Sequence, residues 1–158
     1  MMSKRIRVYA DASVYGGAFD EEFDAASREF FDSVRAGRFR LVVSTAVRDE
    51  LEEAPEPVRA LFEEMRQIAE AVDVGEEAVL LQQSYLAAGI VGQQWETDAL
   101  HVALATESQC PVIVSWNFKH IVNFKKIPLY NGVNLAHGYS VIAIHTPQEV
   151  IADEDQDL

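Results

Sequence analysis

Three acids in this chain, Asp11, Glu50 and Asp98, stand where the local pattern turns a carboxylate toward the interior. Asp98 opens the stretch TDALHVALATESQCPVIVSWNFKH, in which Thr97 is the expected N-cap and the first helical turn favours an acid through its free amides and the helix dipole. The helix that follows is apolar on nearly every side, and at about 100° per residue Asp98 shares a face with Val102 and Ala105. Glu50 lies near the apolar face formed by Val47, Leu51 and Ala54, whereas the adjacent Asp49 points away from it. Asp11 ends an alternating strand. Each acid alone reads as a cap, a surface group or a turn residue, so convergence is what would give them chemistry. Three carboxylates at one place repel by roughly 4 kcal/mol per pair at about 4 Å and an effective dielectric near 20, which calls for a cation. An oxygen-only donor set selects a hard ion, Mg²⁺ or Mn²⁺, and such an ion in an acidic cleft suits phosphodiester hydrolysis.

The elements that must position these acids follow from periodicity and punctuation. A strand is expected from about Arg5 to Ala10, then a flexible turn at Gly16-Gly17 and a helix from Asp20 to Ala36, stopped by Gly37. Leu41 to Val43 reads as a second strand whose terminal hydroxyls, Ser44 and Thr45, cap a helix running to Pro55. Pro57 begins another helix with the stripe Val58, Leu61, Phe62, Met65, Ile68 and Ala69. An edge strand at Val72 to Val74, a helix from Glu76 to Ala88 and a linker from Gly89 to Gln94 lead into the Asp98 helix. Gln82, Gln83, Gln93 and Gln94 are read as solvated, and Trp95 and Trp116 as packing residues. Beyond the strand at Val112 to Val114 come a helical turn from Phe118 to Phe124, a turn-rich segment from Pro128 to Gly138, a strand at Val141 to Ile144 and a last helical turn from Pro147 to Ile151. Strands alternating with helices predict an α/β domain with a mostly parallel sheet, in which ligands gather at the carboxyl ends of the strands.

Length and composition are consistent with that reading. The chain has 158 residues, expected to form one domain over 1–152 with an acidic, frayed tail at 153–158. Its single cysteine, Cys110, is expected as a buried apolar filler. No apolar run reaches the length of a membrane span and no secretory signal is evident, so the cytoplasm is the expected compartment. The net charge of -13 argues against a protein that coats nucleic acid through its global field, but it leaves room for an enzyme that grips a few phosphates locally. Arg48, Lys119, Lys125 and Lys126 are the candidate phosphate, and hence RNA, contacts.

The strand end Asp11-Ala12-Ser13-Val14, the Glu50-Leu51 pair, the Thr97 to Ala105 helix and the strand end Ser115-Trp116-Asn117-Phe118-Lys119-His120 together resemble the PIN-domain family. The likeness runs in order from about Ile6 to Ile144. It implies a Rossmann-like α/β/α sandwich of about five strands and a Mg²⁺- or Mn²⁺-dependent ribonuclease. In many small members it also implies the toxin half of a type II toxin–antitoxin pair, hence an RNA substrate, an antitoxin partner and a homodimer. Carried over by position, Asp11, Glu50 and Asp98 become the metal-binding acids, and Asn117 stands where many members have a fourth acid. Ser13 and Ser115 become supporting hydroxyls. Asn117 carries no charge, which removes support for a second metal ion, and Ala12 stands where threonine is common.

Two other readings share the pattern. Asp11-Ala12-Ser13 also begins the Asp-x-Ser-x-Ser metal site of von Willebrand A domains, a non-catalytic binding module, but Tyr15 stands where that motif needs a hydroxyl of serine. A dinucleotide-binding dehydrogenase would need a G-x-G-x-x-G turn, which Gly16-Gly17 does not make. His101, three residues after Asp98, could pair with it as a structural unit.

Overall fold

Parallel strands buried on both faces hold the chain together, and their sequences show it. The computed structural model describes residues 5–155. Strand β1 (Ile6–Ala10) pairs in parallel with β2 (Phe39–Ser44) and with β4 (Val112–Val114); β2 carries β3 (Glu70–Val72) and β4 carries β5 (Ala143–His145) at the two edges. The sheet order is β3-β2-β1-β4-β5, all parallel, as the alternating pattern requires. Tyr9, which alternation assigned to the polar side of β1 with Arg5 and Arg7, is fully buried, because a central parallel strand is covered on both sides.

Connections moving from β1 to β3 and then back across to β4 and β5 place their helices on opposite faces if every crossover is right-handed. The contacts agree with two layers. Helices α1 (Ala12–Gly17), α2 (Asp24–Arg35) and α4 (Glu56–Arg66) meet one another through α1, and α2 also packs on α8 (Pro147–Asp155). Helix α5 (Glu76–Ala87) packs on α6 (Glu96–Glu107) and α7 (Ile127–Ala136), while α3 (Thr45–Glu50) touches both α1 and α6. The core between layers and sheet includes Phe30, Phe31, Met65, Leu104 and Ile113, and Cys110 is buried in it.

Several local expectations change. The segment after Asp11 is a short helix, α1, rather than a flexible turn, because Asp11 itself caps it. The edge strand lies at Glu70–Val72, two residues earlier than the apolar alternation suggested, in register with Val42 to Ser44. Residues Ile127–Ala136 form a helix despite Asn131-Gly132; Pro128 in its first turn favours entry, and the turn residues lie inside because Asn131 hydrogen-bonds the Ile142 backbone. Gly138, at φ +83°, ends it in the left-handed region. Phe118 to Phe124 is a series of turns rather than a helix. Helix α8 continues through Asp155, so the expected tail is described only that far, and residues 156–158 lie outside the described residues. Among the described residues no helix is long and apolar enough to cross a membrane.

Candidate functional site

The strand order reverses between β1 and β4, and the carboxyl ends of these two strands flank the crevice where open α/β sheets bind ligands. Asp11 ends β1 there at 3 % exposure, and its amide donates to Val114 O of β4. Two serines hold its carboxylate. Ser13 Oγ donates to Oδ1 at 2.6 Å and accepts the Trp116 amide, while Ser115 Oγ donates to Oδ2 at 2.7 Å and accepts the Asn117 amide. The Ser13 amide also donates to Oδ1, at 3.1 Å, as the cap of α1. Three of about four lone-pair positions are therefore filled, and the open one is on Oδ2. Burial pushes the Asp11 carboxyl above the usual carboxylate range, against the opposing pull of His101, Ser13 and Ser115.

Asp98 lies in the first turn of α6, but the N-cap is Trp95, so Thr97 is an exposed first-turn residue rather than the expected cap. Half-burial raises the Asp98 carboxyl, and a hydrogen bond from Asn117 lowers it, with the Glu50 charge adding to the rise. Asn117 also holds backbone, since its Oδ1 accepts the His120 amide at 2.9 Å and so shapes the turn after β4.

Glu50 leaves the end of α3 toward α6, as the helical wheel required, while Asp49 pairs with Arg48 at the surface. Its partner is His101, not a metal-sized gap among acids. His101 Nε2 is 2.6 Å from Glu50 Oε1, and Nδ1 is 2.7 Å from Tyr9 Oη, which lies 2.8 Å from Ser44 Oγ. Ser44 Oγ in turn accepts the Val47 amide as the cap of α3. A doubly protonated imidazole fits this chain of donors: Nε2–H to Glu50, Nδ1–H to the Tyr9 oxygen, and Tyr9 O–H to Ser44. His101 is 1 % exposed, and that burial alone would lower its pKa; the Glu50 hydrogen bond and the charges of Asp11, Glu50 and Asp98 outweigh it and hold the imidazole above its ordinary value. His101 thus bonds Glu50, rather than the Asp98 partner its spacing suggested. A group with a raised folded pKa stabilises the fold fully below its unfolded value of about 6.5 and loses that contribution as pH rises through the folded value. The difference in urea midpoint between the wild type and Glu50→Gln is therefore expected to be largest near about pH 6 and to shrink as pH rises above it.

Among the described residues, no three His, Cys, Asp or Glu side chains are close enough to hold a metal ion as arranged. The acids are brought to one region, each within reach of the His101 charge, yet Glu50 is engaged by the imidazole.

The phosphate candidates separate. Lys126 Nζ donates to Ile90 O, Arg48 lines a cleft of about 430 Å³ with Arg59 and Phe62 that includes none of the three acids, Lys125 is exposed, and Lys119 Nζ lies 5.8 Å from the Trp95 ring centroid. Trp116 packs as expected, stacked 4.4 Å from Phe23 with Nε1 donating to Ser27. Trp95 is 40 % exposed, with His120 stacked at 4.5 Å, and Gln82 is buried with Nε2 on Glu96 O, both against their expected placing. Helices α5 and α6 pack on each other, which brings Gln82 to the carbonyl of Glu96 at the start of α6. A Cβ at Gly17 would lie 2.8 Å from Ser27 Oγ and from two atoms of the Trp116 indole. Gly17→Ala is expected to cost about 1–3 kcal/mol by thermal or urea denaturation, since the indole supports the turn that carries Asn117.

A family model described as a PIN domain matches residues 7–119. The chain belongs to the PIN-domain family. The PIN fold is matched independently by the crystal structure of VapBC2 from Rickettsia felis bound to a DNA fragment from their promoter: TM-score 0.59, 15 % identity, over 89 % of this chain and 98 % of that one. No curated protein matches the chain. Asp11, Glu50, Asp98 and Ser13 fall within the matched PIN segment, as do Ser115 and Asn117. The sequence reading gave Tyr9 no place in the site and gave His101 a different partner; His101 holds Glu50, and Tyr9 holds His101. A histidine one turn after Asp98 on a helix with no polar face was the available signal for His101; nothing local marked Tyr9.

Proposed function

We propose that the protein is a Mg²⁺- or Mn²⁺-dependent endoribonuclease and the toxin of a type II toxin–antitoxin pair. PIN domains are generally nucleases that use divalent metals, and membership of that family supports the hydrolase class. The observation that carries the reading is Asp11, buried at the β1–β4 switch point with both carboxylate oxygens oriented by serines and one lone pair left open. A carboxylate is kept there against its desolvation cost.

The donor chemistry suits a hard divalent ion, and the fit is partial. Asp11 and Asp98 would hold it, whereas Glu50 is a ligand only once it is released from His101. Such an ion, when bound, polarises a phosphodiester and lowers the pKa of water. The chain's own residues do the positioning. Ser13 and Ser115 fix the Asp11 carboxylate, Asn117 holds Asp98 and the turn above it, and His101 with Tyr9 sets the direction of Glu50. Asn117 in place of a fourth acid favours one ion over two. An RNA substrate in the cytoplasm, an antitoxin partner and a homodimer belong to the same reading. Purified protein is expected to cleave single-stranded RNA with Mg²⁺ or Mn²⁺ and to stop when EDTA is added; equal cleavage with and without EDTA would sink the metal dependence.

A further inference from the structure

Two exposed aromatic rings, Trp95 and Phe118, stand next to residues that carry or hold Asp98. Trp95, at the start of α6, is 40 % exposed and stacks on His120. Phe118, next to the Asn117 that bonds Asp98, is 50 % exposed; Trp116 and Phe23 lie 6.2 and 6.3 Å from it, centroid to centroid, and hold it from behind by packing on each other. Large rings left in water cost apolar hydration that burial would recover; here one ring caps the helix that carries Asp98 and the other follows the Asn117 that bonds it. His120 adds an independent observation. It is 7 % exposed, and among the described residues its Nδ1 has no hydrogen-bond partner, a deficit that a bound ligand would relieve.

We propose that Trp95 and Phe118 form a stacking platform that receives unpaired bases of single-stranded RNA beside Asp98, with Lys119 as the neighbouring phosphate contact. This rests on the ribonuclease reading above and names the residues that would hold its substrate. With a net charge of -13, the chain has no global field to draw in a polyanion, so affinity must come from local contacts. Stacking supplies it without base identity, because every base offers a π-face; a duplex hides those faces and offers only its phosphates. Lys119 Nζ lies over the Trp95 ring, 5.8 Å from its centroid, while His120 stacks on the ring at 4.5 Å; a base reaching Trp95 would displace this flexible ammonium, leaving it beside the strand to meet a phosphate. The binding should accordingly depend only weakly on salt.

The test separates binding from cleavage by using full-length Asp11→Asn protein. Fluorescence anisotropy with a labelled 12-nucleotide RNA and with its duplex is expected to show the single strand bound about 10-fold or more tighter, with Phe118→Ala and Trp95→Ala each weakening it about 10-fold. Phe118→Trp is expected to restore affinity. RNA should also quench tryptophan emission, an effect lost in Trp95→Phe and kept in Trp116→Phe, which does not depend on the alanine variants folding. Equal binding of duplex and single strand, unchanged affinity in both alanine variants, or no RNA binding at all overturns the platform. Wild-type protein that binds RNA through these rings but does not cleave it with Mg²⁺ or Mn²⁺ would overturn the nuclease reading alone.

Discussion

Asp11→Asn and Asp98→Asn are each expected to reduce RNA hydrolysis by about 1,000-fold or more while leaving the protein folded. A metal-holding acid contributes several kcal/mol to the transition state, and each 1.36 kcal/mol is about tenfold in rate. Stability should move the other way. Burial raises the folded pKa of both carboxyls, so their contribution favours the fold only below the ordinary carboxylate value and is lost as pH rises through the folded one. At neutral pH the charged forms oppose folding, and asparagine removes that charge while its amide can still bond Ser13 and Ser115. A gain of about 1 kcal/mol in Asp11→Asn, read by urea denaturation at neutral pH, is the expected companion of lost activity. Activity kept in both variants, with RNA cleavage measured on a labelled substrate, would remove these acids from the mechanism.

His101→Ala is expected to destabilise the fold by about 2–4 kcal/mol. The ring is 1 % exposed and joins Glu50 of α3 to Tyr9 of β1, so its loss leaves a cavity and deprives the Tyr9 hydroxyl of one partner. It also removes the only positive group that Asp11 and Asp98 both sense alongside Glu50 within this cluster. Asp11 would then face Glu50 without the imidazole's counter-charge, and Asp98 would keep only His120. Added Mg²⁺ should therefore recover more stability in His101→Ala than in the wild type, by the linkage of ligand binding to folding. A loss below about 1 kcal/mol in urea, or the same Mg²⁺ response in both proteins, would show that the imidazole is not the internal cation of this cleft.

Much of the architecture was legible because local chemistry and tertiary demand agree. The short apolar run at Val112 to Val114, the Ser44 cap and the stripe from Val58 to Met65 appear where periodicity placed them, since a residue buried by its helix face or strand pairing needs no distant partner to be recognised. The helix at Ile127–Ala136 was not legible, because Asn131 reads as a turn residue until its bonds to Ile142, eleven residues away, are seen. Trp95 and Trp116 both read as packing residues, yet Trp95 is exposed, because which ring is covered depends on partners in other elements, as Phe23 and Ser27 cover Trp116.

By itself, the sequence determined a five-stranded parallel α/β domain of the PIN family and the choice of Glu50 over Asp49, because periodicity fixes which way a side chain faces along its own element. It also placed Asp11 at a strand end with a hydroxyl two residues on. Only the tertiary structure decided what meets those acids. Crossing from β1 to β4 brings Ser115 to Asp11, and packing α3 against α6 gives Glu50 an imidazole in place of a ligand-sized gap. Contacts between residues 51 to 104 positions apart depend on strand order and helix docking, which no local spacing encodes.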